Sequence, residues 1–110
     1  MATAYKVLAQ ANPSATTETT LYSPSGSAAA VVSTLTICNQ ANSPATYRIA
    51  VWPNGTSSSV AKSWIVYGAT VNANDTTALT LGLTLENGAT LRVYASSANL
   101  SFNAFGSEIS

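Results

Sequence analysis

The residues able to do chemistry are few. Glu18, Asp75, Glu86 and Glu108 are the only carboxylate side chains, and Lys6, Arg48, Lys62 and Arg92 the only cations, so the formal charge sums to zero. A carboxylate pair ~5–10 Å apart is the machinery of glycoside hydrolysis, and Asp75 with Glu86 is the pair to weigh. Both stand in turn-like surroundings and Glu18 opens an extended run, which reads instead as solvated turn and edge charge. There is no histidine and only one cysteine, Cys38. That excludes Ser-His-Asp and Cys-His nucleophilic catalysis, histidine-based zinc sites, thiolate clusters and an internal disulfide. Cys38 has no basic cluster beside it in sequence and is expected as a small buried apolar residue. No Gly-rich phosphate loop and no Asp/Asn-rich calcium loop occurs, so no cofactor and no metal is expected. Four cations are too few for a nucleic-acid footprint. The chain is expected not to be an enzyme.

Recognition chemistry is better represented. Arg48 and Arg92 recur in a shared pattern, Thr46-Tyr47-Arg48-Ile49 and Thr90-Leu91-Arg92-Val93, each opposite the apolar face of its segment. A guanidinium so placed can clamp a partner carboxylate through two parallel hydrogen bonds. It can equally pair with a glutamate across the sheet or stack on a neighbouring tyrosine. Trp52 and Trp64 flank a polar loop at 53–62 and offer either a sugar-stacking platform or core and interface mass. Arg48, Arg92, Trp52 and Trp64 are therefore the candidate partner-binding residues. The triplets Asn54-Gly55-Thr56, Asn74-Asp75-Thr76 and Asn99-Leu100-Ser101 match the glycosylation acceptor pattern, as chance produces in a chain so rich in Asn, Thr and Ser.

The elements that position these residues read as strands. Leucine stands at 79, 81, 83 and 85 with Thr80, Gly82 and Thr84 between, a period of two that puts all four on one face of an extended chain. Their full burial would be worth about 6–12 kcal/mol before entropy, and Leu81→Asp is expected to prevent folding. Gly82 in the middle marks a bend or bulge. Tyr47, Ile49 and Val51 alternate in the same way, as do Leu91, Val93 and Ala95. Val31, Leu35 and Ile37 do so with Ser33 as the exception. Trp64-Ile65-Val66-Tyr67 is apolar on both faces, as an interior or interface strand would be. Glu86-Asn87-Gly88-Ala89 carries the Asn-Gly hairpin signal. Pro13, Pro24 and Pro44 mark turns in the first half. The pattern predicts about eight strands, near 3–9, 18–23, 29–39, 45–52, 63–71, 76–81, 89–96 and 99–108. The expected fold is all-β: one antiparallel β-sandwich or jelly roll spanning residues 1–110.

Composition bounds the class. The 110 residues include 19 Ala, 15 Thr, 15 Ser and 9 Asn, and only 7% are charged, against about 25% in an ordinary domain. At 46% apolar the chain can support a core rather than remain disordered. No apolar run approaches the ~20 residues of a membrane span, and no membrane partner is expected. The opening Met1-Ala2-Thr3-Ala4-Tyr5-Lys6 lacks the cationic-then-apolar pattern of a signal peptide, and a lone Cys38 fits a reducing compartment. Without net charge there is little repulsion to keep copies or partners apart. Association, including a homo-oligomer, is expected.

Several stretches carry a resemblance. Tyr5-Lys6-Val7-Leu8-Ala9-Gln10, Cys38-Asn39-Gln40, Tyr47-Arg48-Ile49-Ala50-Val51 and Gly82-Leu83-Thr84-Leu85 are similar to segments of small virion proteins of tailed bacteriophages, including cyanophages. So are Leu91-Arg92-Val93-Tyr94-Ala95 and the run from Leu100 to Ile109. The resemblance implies an accessory structural protein of the particle, made in the host cytoplasm and carried in the virion. It would be a capsid cement or decoration protein, or a small tail component. Its partners would be the major capsid protein or other virion proteins, with self-association as a dimer or trimer. The other reading is a small tail or fibre module that binds host glycans through Trp52, Trp64 and the Asn54–Ser59 loop.

Overall fold

The computed structural model describes residues 3–110 and contains eight strands. They are β1 (Thr3–Ala11), β2 (Thr19–Tyr22), β3 (Ala29–Asn39), β4 (Ala45–Trp52), β5 (Trp64–Val71), β6 (Thr76–Leu85), β7 (Thr90–Ala95) and β8 (Leu100–Ile109). One turn of 3₁₀ helix (Ala61–Ser63) precedes β5. The strands form two four-stranded antiparallel sheets, in the orders β1-β8-β3-β6 and β2-β7-β4-β5. Each strand pairs with the one counted equally far from the other end of the chain: β1 with β8, β2 with β7, β3 with β6, β4 with β5. A long hairpin wrapped around a barrel-like core gives this order, which is the jelly-roll form of the β-sandwich. All eight predicted strands are present.

The core lies between the sheets and follows the period-two pattern. Leu35, Ile37, Phe102 and Leu85 from the first sheet face Ile49, Leu91, Val93 and Tyr47 from the second, all buried. Tyr47 and Phe102 meet edge to face with ring centroids 6.4 Å apart, a favoured aromatic geometry. Asn39, the one fully buried side-chain amide among the described residues, is satisfied. Its Nδ2 donates to the carbonyls of Ser43, Val71 and Asn72, and its Oδ1 accepts from the Ala41 amide. A buried polar group is tolerable only when paired in this way, and Asn39 thereby pins the β3–β4 and β5–β6 connections together.

Four local expectations are corrected. The four leucines do not share one face. Val32 pairs with Leu83 but Thr34 pairs with Thr80, so Ser33 of β3 opposes both Leu81 and Gly82 of β6. That is a β-bulge, with Gly82 at φ +63°, a conformation costly for any residue with a Cβ. The bulge turns Leu81 outward, 39% exposed, while Leu85 is fully buried and Leu79 and Leu83 only partly. Asn87-Gly88 does not join paired strands. It carries the chain from one sheet to the other, with the Asn87 side-chain amide donating to the carbonyls of Gly26 and Ala28. Of the two readings of Trp64-Ile65-Val66-Tyr67, interior or interface strand, the first falls away, because the segment opens an edge strand. Cys38 is half-buried, one position out of phase with the buried Ile37, and so belongs to the outer face of its sheet.

Candidate interaction site

Arg48, Arg92, Trp52 and Trp64 all project from the outer face of the β2-β7-β4-β5 sheet. The reason is register. In β4, Tyr47, Ile49 and Val51 turn toward the core, which puts Arg48 and Trp52 on the outer face together with Ala50, which is covered there. In β7, Leu91 and Val93 turn inward and Arg92 and Tyr94 outward. Arg48 pairs with Tyr94 and Ala50 with Arg92 across β4 and β7. The shared Thr-apolar-Arg-aliphatic pattern thus puts both arginines on one surface.

The two arginines differ in what surrounds them. Arg92 is fully engaged within the fold. Its Nε donates to Glu18 Oε2 at 2.9 Å, its Nη2 to the Glu18 carbonyl at 3.3 Å and its Nη1 to Thr20 Oγ1. Its guanidinium lies 4.2 Å from the centroid of the Trp52 ring. Trp52 Nε1 donates to Ser59 Oγ at 2.8 Å, and Ser59 Oγ donates to Glu18 Oε2 at 3.1 Å. This closed network ties the start of β2, the β4–β5 loop and strands β4 and β7 together. It covers one face of Trp52 and spends its N–H.

Arg48 is held but not paired. Its guanidinium lies 4.2 Å from the Tyr67 ring centroid, 4.5 Å from Tyr94 and 5.9 Å from Trp64. Trp64 and Tyr67 meet edge to face at 5.1 Å. The ion pairs among the described residues are Lys6–Glu108 and Arg92–Glu18, and Arg48 makes neither an ion pair nor a side-chain hydrogen bond there. The three rings fix the plane of the guanidinium and leave its N–H edges without an acceptor. Beside it an open groove of about 730 Å³ runs along Ser59, Val60, Ala61, Trp64 and Tyr67. Tyr67 is 62% exposed.

The sequence pointed to the two arginines and two tryptophans but not to Glu18, Ser59, Tyr67 and Tyr94 as their partners. Tyr94 was legible in principle, since it is two residues beyond Arg92 on the same face. Glu18 and Ser59 arrive from distant loops and carry no local signal.

The remaining charged groups lie at separate places among the described residues. Asp75 precedes β6 and Glu86 follows it, so ten strand residues separate them. At ~3.3 Å per residue that is roughly 30 Å, far beyond the span of one glycosidic bond. Glu108 Oε1 accepts from Lys6 Nζ at 3.0 Å, and its Oε2 accepts from the Tyr22 hydroxyl. The Tyr22 hydrogen bond, then that of Lys6, holds the Glu108 carboxyl below its usual range. Burial, reinforced by Glu108, pushes the Tyr22 phenol well above its ordinary value. The cluster clips β1 and β8 of one sheet to β2 of the other. No group of three metal-ligating side chains occurs among the described residues. Comparison with family models, with curated proteins and with solved structures returns no match.

Proposed function

We propose that the chain is a non-enzymatic structural subunit of a tailed-phage particle, a cement or decoration protein that bridges neighbouring capsid subunits. The observation that carries this reading is Arg48: a guanidinium stacked on Tyr67 and Tyr94, on an exposed face, without a carboxylate of its own. A stacked guanidinium is already oriented, so a partner carboxylate can dock on its free edge with little further ordering. Trp64 and Tyr67 add apolar contact around it, and the exposed Tyr5 and Val7 offer further area on the other sheet. Single contacts of this kind are weak, and repetition over a shell makes them hold. The jelly-roll order supports the reading by analogy, because viral capsid domains use it, as does the resemblance of the sequence to small virion proteins.

The same fold serves lectins, and the groove beside Trp64 and Tyr67 favours a second reading, a tail module that binds glycans. Trp52 has no part in that version, because Arg92 covers one of its faces and Ser59 holds its N–H. The deciding experiment adds the protein to purified phage shells that lack it, and separately to a glycan array. The cement reading expects saturable binding to shells, lost in Arg48→Met. Binding only to glycans, lost in Trp64→Ala, would replace it with the lectin reading.

A further inference from the structure

The sandwich has two lateral edges of different character. In one, β1 lies over β2, and the Lys6–Glu108–Tyr22 cluster joins the two sheets. In the other, β5 ends one sheet and β6 ends the other. No ion pair spans this second edge among the described residues. Yet it is where the uncommitted charge collects. With Lys6, Glu108, Arg92 and Glu18 paired, the charged side chains without an ion pair among the described residues are Arg48, Lys62, Asp75 and Glu86. Lys62 stands just before β5, while Asp75 and Glu86 bracket β6. Val60, shortly before β5, and Ile65, within it, are 47% and 45% exposed, and Leu81 is thrust out of β6 by its bulge. Val51, Val60, Lys62 and Ile65 line an open groove of about 440 Å³ at this edge.

We propose that two copies of the chain associate through the β5/β6 edge about a two-fold axis parallel to the strands. Such an axis brings β5 of each copy against β6 of the other, running antiparallel. β5 starts and β6 finishes at the same end of the sandwich, the end where Asn54 of the β4–β5 loop lies against Gly88 of the β6–β7 turn. Lys62 of each copy therefore meets Glu86 of the other, twice, and Leu81 of each lies near Ile65 of the other. The alternative two-fold, perpendicular to the sheets, sets β6 against β6 and runs Asp75 of each copy beside Glu86 of the other, which like charge opposes. Bulges at Ile65, Gly68 and Leu81-Gly82 interrupt both edge backbones, so the contact is made by side chains and not by a continuous sheet. An isologous contact of this kind closes at two copies. The inference goes beyond the particle reading and does not rest on it.

Sedimentation of the full chain over a concentration series tests it. The wild type is expected to dimerise, more weakly at high salt. Lys62→Glu and Glu86→Lys are each expected to weaken the dimer about tenfold, since each turns two attractive pairs into repulsive ones. The double exchange is expected to restore it. Lys62 and Glu86 are exposed, so the thermal midpoint of the monomer should not move, which separates lost association from lost folding. A wild type that stays monomeric at its highest soluble concentration overturns the proposal. So does a closed trimer, a dimer indifferent to both reversals, or one broken by Asp75→Lys in place of Glu86→Lys.

Discussion

Replacing each arginine in turn by methionine separates structural from recognition chemistry, because the two side chains have the same strand geometry and different surroundings. Arg92→Met removes the ion pair to Glu18, in which the partners are 17% and 24% exposed, together with hydrogen bonds to Thr20 and the Glu18 carbonyl. A partly buried pair falls between the ~0–1 kcal/mol of a surface bridge and the ~3–5 kcal/mol lost when a buried one is broken. Adding the stacking of Arg92 on Trp52 at ~0.5–1 kcal/mol, the expected loss is about 2–4 kcal/mol, or roughly 8–15 °C in Tm. Arg48→Met removes no ion pair. It loses cation–π attraction to the exposed Tyr67 and the half-buried Trp64 and Tyr94 and keeps a flexible apolar side chain against them, so the expected loss is about 0.5–1 kcal/mol, roughly 2–4 °C. Denaturant melts give the stabilities, and pull-down on phage shells gives the binding. The expected result is an Arg92→Met variant that is less stable and an Arg48→Met variant that is nearly as stable as its parent but does not bind. Equal destabilisation by the two substitutions would show that Arg48 is a structural residue and would refute the reasoning.

Other substitutions probe the fold. A Cβ built on Gly106 lies 2.0 Å from the Val31 carbonyl oxygen, so Gly106→Ala must push β8 off β3 and disturb hydrogen bonds worth ~1 kcal/mol each; a loss of about 2–4 kcal/mol is expected in urea titration, and one below ~0.5 kcal/mol would show that the strands give way freely. Leu81→Asp is expected to fold with a cooperative melt, because the bulge leaves Leu81 partly exposed, whereas Leu85→Asp, which sets a charge in the core, is expected not to fold. The Tyr22–Glu108–Lys6 clip makes stability depend on pH at both extremes. The folded Glu108 carboxyl titrates below its ordinary 4.5, so its contribution is complete above that pH and falls away as pH drops through the folded value. The folded Tyr22 phenol titrates above its ordinary 10.0, so its contribution is complete below pH 10.0 and is lost as pH rises beyond it. Tyr22→Phe should flatten both limbs in melts taken across pH, leaving at alkaline pH the part due to the buried Tyr47 phenol, which is also raised. Unchanged limbs in that variant would remove the clip from the account.

Much of the architecture was legible before any coordinates. Period-two patterning located the strands because each has one face in the core, and Tyr47, Ile49, Leu91 and Val93 all point where alternation puts them. The outward placement of Arg48 and Arg92 followed from the same arithmetic. Alternation failed at Leu81, where Leu81 and Gly82 together oppose the single Ser33 of a strand distant in sequence, while Leu79, Leu83 and Leu85 keep the core-facing phase; it failed at Val31 because Ser33 is an extra residue of β3 against β8, which puts Val32 in the core instead. It failed at Asn87-Gly88 because a tight turn looks the same whether it joins two strands of one sheet or carries the chain between sheets.

The amino-acid sequence by itself determined the all-β class, the exclusion of histidine and thiolate-cluster chemistry and, in β4 and β7, the side of the strand that meets the core. These depend on residue type and local spacing alone. Tertiary structure decided which strands are neighbours, and with that which arginine finds a carboxylate. Glu18 reaches Arg92 only because β2 pairs with β7, and β5 lies beside β4 with Tyr67 against Arg48 and no acid within reach. Identical side chains in matching local patterns thus have different chemistry, because an arginine's partners come from strands far away in the chain.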